Sequence, residues 1–147
     1  MHTLTETLLA ESTRTAVVRD LVGVVNEEVR EKKGVSGVTV KSAVATVRKV
    51  SPNVIGSAID RMLPEFARVL EPFWVDFAGN GDFGTYLAGR GEEASNALVG
   101  VTDKKAANTS RAPLRKAYGA LRPRAIDNVT TALPRLGAAI QKHATSS

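Results

Sequence analysis

Gly79, Gly81 and Gly84 stand in "AGNGDFG" at the spacing G-x-G-x-x-G, and Asp103 follows Gly84 by 19 residues. After a strand and before a helix, such glycines let a backbone approach a pyrophosphate. An acid about 20 residues on then holds a ribose hydroxyl. The chemistry on offer is nicotinamide-cofactor binding. It needs two buried strands, and "PFWVDF" and "ALVGVT" are the candidates. Three features oppose it. Phe73 and Phe77 continue a helical stripe, and Asp76 would sit inside a fully buried strand. The motif "LVGV" occurs twice, and its first copy, Leu21–Val24, lies inside the clearest helix of the chain. The 70 or so residues before the glycines carry no strand pattern. The expectation is that these glycines form a turn, with Asp82 capping the helix that follows.

Other chemistry has less support. Asp76 and Asp82 flank the glycines, but "DFAGNGD" lacks the alternating acids of a calcium loop. His2 and His143 are the only histidines, near the two termini, and neither accompanies a candidate nucleophile. No G-x-S-x-G elbow occurs. Glu27 and Glu28, like Glu92 and Glu93, are adjacent on helices and point about 100° apart, too far for a carboxylate dyad. With no cysteine there is no disulfide, thiolate nucleophile or thiolate metal site. The expectation is no catalysis, no metal and no cofactor.

Charge is uneven. Residues 1–100 hold 11 Lys/Arg against 13 Asp/Glu, whereas residues 101–147 hold 9 against 2. Lys104, Lys105, Arg111, Arg115, Lys116, Arg122 and Arg124 lie in a stretch without an acid. On a helix, Arg111, Arg115 and Arg122 would fall within about 40° of one another, beside Tyr118. Arginines next to an aromatic suit phosphates and stacked bases. A solvated basic face is the plainer reading, and no nucleic-acid-binding signature accompanies it.

The elements that would hold these residues are helices. Val18, Leu21, Val22, Val25 and Val29 make one face of Ser12–Gly34, with Ser12 or Thr13 as its cap and Gly34 at its end. Val40, Val44, Val47 and Val50 repeat at helical spacing ahead of Pro52. Ile55, Ile59, Met62, Phe66, Val69, Phe73 and Phe77 form a long stripe, in which Pro64 and Pro72 should kink the helix or start new ones. Further helices are expected at about 82–88, 91–106, 111–122 and 123–143. Leu114, Ala117, Tyr118 and Leu121 share one face of the third, and Val129, Leu133, Leu136 and Ile140 one face of the fourth. Residues 144–147 should fray. Six of the seven aromatics, Phe66, Phe73, Trp74, Phe77, Phe83 and Tyr86, gather around the glycine turn. They read as core at a joint, or alternatively as a pocket or dimer patch centred on Phe73 and Trp74.

The chain also matches itself. "TLLA" (7–10) faces "TYLA" (85–88), "LVGV" (21–24) faces "LVGV" (98–101), "VRKVSP" (47–52) faces "YGALRP" (118–123), and "LPEF" (63–66) faces "LPRL" (133–136). The matches are colinear, and their offsets change where connections lie. Two halves, about 3–76 and 82–143, would pack together around a shared core, with the joint at 77–82.

"TLLAESTRTAVVRDLVGVV", "VSPNVIGSAIDRMLPEF", "EPFW" and "GDFGTYLAGRGEEA" resemble a family of small uncharacterised proteins from actinobacteria. The resemblance covers nearly the whole chain and implies a cytosolic protein, but no activity or site residues. At 147 residues, 43% hydrophobic and 24% charged, the composition suits a single globular domain. The N-terminus lacks the pattern of a signal peptide, and no run is long enough to span a membrane.

The expectation is therefore an all-α single compact domain of about eight helices in two pseudo-equivalent four-helix halves. It would be cytoplasmic and non-enzymatic, an interaction or scaffold module that pairs with a protein partner or with a second copy of itself, with Phe73, Trp74 and Tyr86 at an apolar interface. Two alternatives stand beside it. One is nucleic-acid or polyanion binding through 104–124, using Lys104, Lys105, Arg111, Arg115, Arg122 and Arg124. The other is carriage of an apolar small molecule between the halves.

Overall fold

The valine-rich run after Ala10 is helical from Glu11 to Glu31, and most of the chain follows suit. A computed structural model describes residues 3–50 and 52–144. His2 and residues 145–147 of the expected frayed tail lie outside the described residues; Ala144 closes the last helix. The elements are α1 (Leu4–Leu9), α2 (Glu11–Glu31), α3 (Gly34–Val50), α4 (Val54–Phe77), α5 (Phe83–Gly89), α6 (Gly91–Asn108), α7 (Ala112–Leu121) and α8 (Ala125–Ala144). A 3-10 turn, Arg122–Arg124, joins α7 to α8. The described residues contain no strand. Seven helices have seven residues or more, and α1 is a six-residue piece. No helix among the described residues is long and apolar enough to cross a membrane.

The four long helices α2, α4, α6 and α8 form a ring, in which α2 packs on α4 and α8, and α6 packs on the same two. The short helices pack against it, α1 chiefly on α4 but also on α2 and α8, and α5 chiefly on α8. The remaining pair, α3 and α7, pack mainly on one another. The core runs through the ring: Val17, Leu21, Leu63, Ala67, Leu70, Leu98, Leu133 and Ile140 are all buried. The stripe expected on α4 is wider than foreseen. Leu63, Ala67 and Leu70 are its most buried part, because α4 is covered by α1 and α2 on one side and by α6 on the other.

Several local expectations need correction. Ala10, not Ser12 or Thr13, stands at the N-cap of α2, and its carbonyl accepts from the Thr13 and Arg14 amides, each at 2.8 Å. Lys32 ends α2, and Gly34 instead opens α3 with φ +73°. Helix α4 continues through both of its prolines. Pro64 has no N–H for the carbonyl of Asp60 four residues earlier, which is the usual cost of an interior proline. Arg14 compensates: its Nη2 donates to that carbonyl at 2.8 Å and its Nε to Asp60 Oδ1 at 2.8 Å.

Asp82 occupies the N-cap position of α5, but its carboxylate accepts from the Thr85 hydroxyl at 2.7 Å and caps no amide. The Phe83 amide donates to Gln141 Oε1 of α8 at 2.9 Å. Helix α1 is tied down alike: the Leu4 and Thr5 amides donate to Glu71 of α4, each at 3.0 Å.

The three motif glycines also find their uses. Gly79 and Gly81 have φ of +74° and +91° and form the turn between α4 and α5. Gly84 lies where α5 crosses α8. A Cβ there would stand 2.3 Å from the Pro134 carbonyl oxygen, and one on Gly137 would stand 2.4 Å from Gly84 Cα. The spacing serves a turn and a close helix crossing. Asp103 lies within α6 and bonds to Tyr118 and Arg122, with no strand end nearby.

Candidate functional site

A cavity of about 510 Å³ lies between the ring and the α3–α7 pair. Its walls come from α2, α3, α4, α6, α7 and α8, with a single contact from α1 through Leu8. The sequence explains the space. The inward positions of α3 and α7 are Val40, Val44, Val47, Leu114 and Leu121, and the facing positions include Ala58, Ala106 and Ala132. Branched and one-carbon side chains at many of these positions leave space across the middle. Close packing is the rule in protein interiors, so this gap is a departure from it. Many wall residues, among them Val25, Val29, Met62, Phe66 and Leu136, are only half-buried.

Polar groups are few on the wall and are mostly engaged. The Tyr118 hydroxyl lies 2.8 Å from Thr102 Oγ1 and donates to Asp103 Oδ1, to which Arg122 Nε also donates at 2.9 Å. This knot fastens α7 to α6. The Tyr118 hydrogen bond, with help from Arg122, holds the Asp103 carboxyl below its ordinary range, while burial and Asp103 raise the Tyr118 phenol. Glu28 accepts from Arg135, which also donates to Glu31 at 2.8 Å and so ties α8 to the end of α2.

A second hollow adjoins the first. It is an open cleft of about 1050 Å³ between α2, α3 and α4. Arg19, Arg30, Lys41 and Arg48 line it, together with Asn26, Asn53 and Ser57. Its one carboxylate, Asp60, is already paired with Arg14 at 2.8 Å. Sequence reasoning missed this basic group because its members are spread over 30 positions, and only the pairing of α2 with α3 collects them.

The expected site residues fall elsewhere. Phe73 is buried, with the Arg90 guanidinium 4.6 Å above its ring. Trp74 meets Phe83 edge-on at 5.0 Å, and Tyr86 lies 5.5 Å from Phe77. Arg90 Nη1 donates to the Tyr86 hydroxyl at 2.7 Å and Nη2 to Glu93 at 2.7 Å. These aromatics pack on each other at the α4–α5 joint, and none of Phe73, Trp74 and Tyr86 lines the cavity. The cavity wall is instead mostly aliphatic, with Phe66 and Tyr118 as its aromatic members.

In the basic segment, Tyr118 and Arg122, four residues apart, both turn to Asp103. Arg115 Nη1 donates to the Thr109 carbonyl at 2.8 Å. Lys105 lines the cavity, whereas Lys104, Arg111 and Arg124 are exposed. Among the described residues, no three His, Asp or Glu side chains gather as a metal site would require.

No match was found among the curated proteins or among the solved structures. A family model described as a family of unknown function (DUF6918) matches residues 4–144, nearly the whole chain, and the chain belongs to that family.

Proposed function

We propose that this protein binds a small apolar molecule in the cavity between its two halves and releases it unchanged. The observation that carries the reading is the cavity itself. Its volume falls within the roughly 300–1,000 Å³ usual for ligand sites, and the surface it exposes is almost wholly apolar. A partly open apolar hollow of this size leaves wall side chains without protein contacts, so a chain that keeps it gives up stability that closer packing would provide. An apolar guest restores those contacts.

We further propose that the two halves arose by duplication, so that the cavity is the space left where two copies meet. Each half runs short helix, long helix, α3 or α7, long helix. Packings occur in pairs: α1 on α4 with α5 on α8, and α2 on α8 with α6 on α4. The remote caps support the same reading. Glu71 and Gln141 are 70 residues apart, the offset that also relates Leu63-Pro64 to Leu133-Pro134.

The interaction-module and polyanion readings draw less from the geometry. Phe73 is buried, and Trp74 and Tyr86 are half-buried among other rings. Two cations of the 104–124 segment, Arg115 and Arg122, are held by the chain itself.

The test is calorimetric titration of the purified, delipidated protein with 1-dodecanol, which has a tail and no charge. Saturable binding of about one molecule per chain, with a negative heat-capacity change, is the expected result. No saturable binding up to the solubility limit of the alcohol would remove the reading.

A further inference from the structure

We propose that the basic cleft between α2, α3 and α4 is the mouth of the cavity. It would receive the anionic head of a single-chain amphiphile whose tail lies inside. This inference rests on the apolar-ligand reading above and names the ligand class.

The first argument is continuity. Val29, Val44 and Ile55 line both the cleft and the cavity, so the two hollows share a wall and one ligand can reach across it. Surface cations and buried aliphatic side chains follow each other along one path.

The second argument is charge. The cleft presents four cationic side chains against one carboxylate. Asp60 is neutralised by Arg14, which is not part of the cleft lining. Arg30 shares Glu27, but Arg48 leans on the neutral side chain of Asn26 and keeps its charge uncompensated. Arg19 and Lys41 form no ion pair among the described residues. Asn53 and Ser57 add neutral hydrogen-bonding groups at the same place. Such a cleft favours a carboxylate or similar anion and opposes a cationic head.

The third argument is the contrast between the two seams. In the second half, Tyr118 and Arg122 close the seam between α6 and α7 onto Asp103. In the first half, the residue aligned with Tyr118 is Val47, which has no hydroxyl to make such a knot. Asn26 aligns with Asp103 on the "LVGV" offset and bonds only Arg48 there. The α2–α3 seam therefore holds one neutral-acceptor hydrogen bond where its counterpart has a three-residue knot, and the entrance lies on that side.

The experiment compares dodecanoate, 1-dodecanol and dodecyltrimethylammonium below their micellar concentrations, by calorimetry on the full chain at low and at physiological salt. Dodecanoate should bind about tenfold or more tighter than the alcohol, as one charge-assisted contact provides. That advantage should shrink as salt rises. The ammonium amphiphile should bind weakest. Lys41 and Arg48 are exposed, so the double variant Lys41→Ala/Arg48→Ala should melt near the parent temperature. It should lose about tenfold in dodecanoate affinity and nothing in dodecanol affinity. Lys41→Glu alone should act in the same direction.

Equal affinities for the acid and the alcohol would overturn the anionic-head proposal and leave the apolar cavity standing. So would dodecanoate binding that the double variant does not change. If none of the three amphiphiles binds, the cavity reading falls and this proposal falls with it.

Discussion

Ala132→Leu probes the cavity from the side of the protein. Ala132 lies on α8, is half-buried, and contributes to the cavity wall. Leucine adds three carbons beyond alanine. At about 0.8 kcal/mol per buried carbon the ceiling is about 2.4 kcal/mol. Fixing the new side chain costs about 0.5–1 kcal/mol in rotamer freedom, which leaves about 1.5 kcal/mol. For a domain of this length each kcal/mol moves the melting temperature by about 2–4 °C, so the variant should melt roughly 3–6 °C higher. The same three carbons take space from the guest. Losing burial of three methylenes would weaken dodecanol binding by up to about 60-fold, and a loss of about tenfold or more is expected. Thermal unfolding followed by circular dichroism, with calorimetric titration of the same sample, reads both effects. Their opposite signs are diagnostic of unfilled apolar space that serves a ligand. A melting temperature that falls by several degrees would mean that the site is already full and the leucine overpacks it. That result would refute the reasoning from volume.

The close crossing of α5 and α8 gives a second prediction. Gly137→Ala should cost about 3 kcal/mol or more, because the clash is with backbone that cannot swing aside, whereas Gly100→Ala meets nothing within 4 Å and should gain about 0.5–1 kcal/mol. Urea denaturation of the two variants checks the contrast. Glu71→Ala should cost about 1–2 kcal/mol by stripping the Leu4 and Thr5 amides of their acceptor, and Gln141→Ala should loosen α5 in the same way; hydrogen exchange at Leu4 and Phe83 reports each. Asp103 titrates below its ordinary value of 3.8 in the folded chain, so its contribution is present above that pH and is lost as pH falls through the lower, folded value. Asp103→Asn should therefore be less stable than the parent at neutral pH, and the difference between them should close in acid-unfolding curves as pH falls through the lowered value of Asp103.

Much of the helical framework was legible because its apolar positions recur at helical spacing. Leu133, Ile140 and Ala117 are buried as their wheels require. Leu63 and Leu70 were passed over, because α4 is apolar on more than one face and a single stripe does not describe a helix covered from two sides. The capping groups of α2 and α5 were misread, because the partners are the Ala10 backbone and the Gln141 side chain of a distant helix. The acceptors for α1 and α5, Glu71 and Gln141, carried a readable signal: they share the offset of the two Leu-Pro pairs. The cavity was foreseen only as one alternative and was sought among aromatics. A void is set by how far helices diverge, and valine and alanine at its wall look like ordinary core in one dimension. The cleft was missed for a related reason. Charge runs are visible along a chain, but Arg19, Lys41 and Arg48 become neighbours only through the pairing of α2, α3 and α4.

The remote anchoring of the two short helices has a kinetic consequence. Helices of six and seven residues are well below the roughly 12–15 residues at which isolated helices become even marginal in water. Their first amides are satisfied by side chains 67 and 58 positions away. Neither can nucleate by itself, so each orders only once α4 or α8 is in place to receive it. The long-helix ring is thus the early-folding unit, and α1 and α5 are its last additions and the first parts to open. In the native state they should exchange their amide hydrogens through brief local excursions, while the interior of α4 and α8 waits for global unfolding.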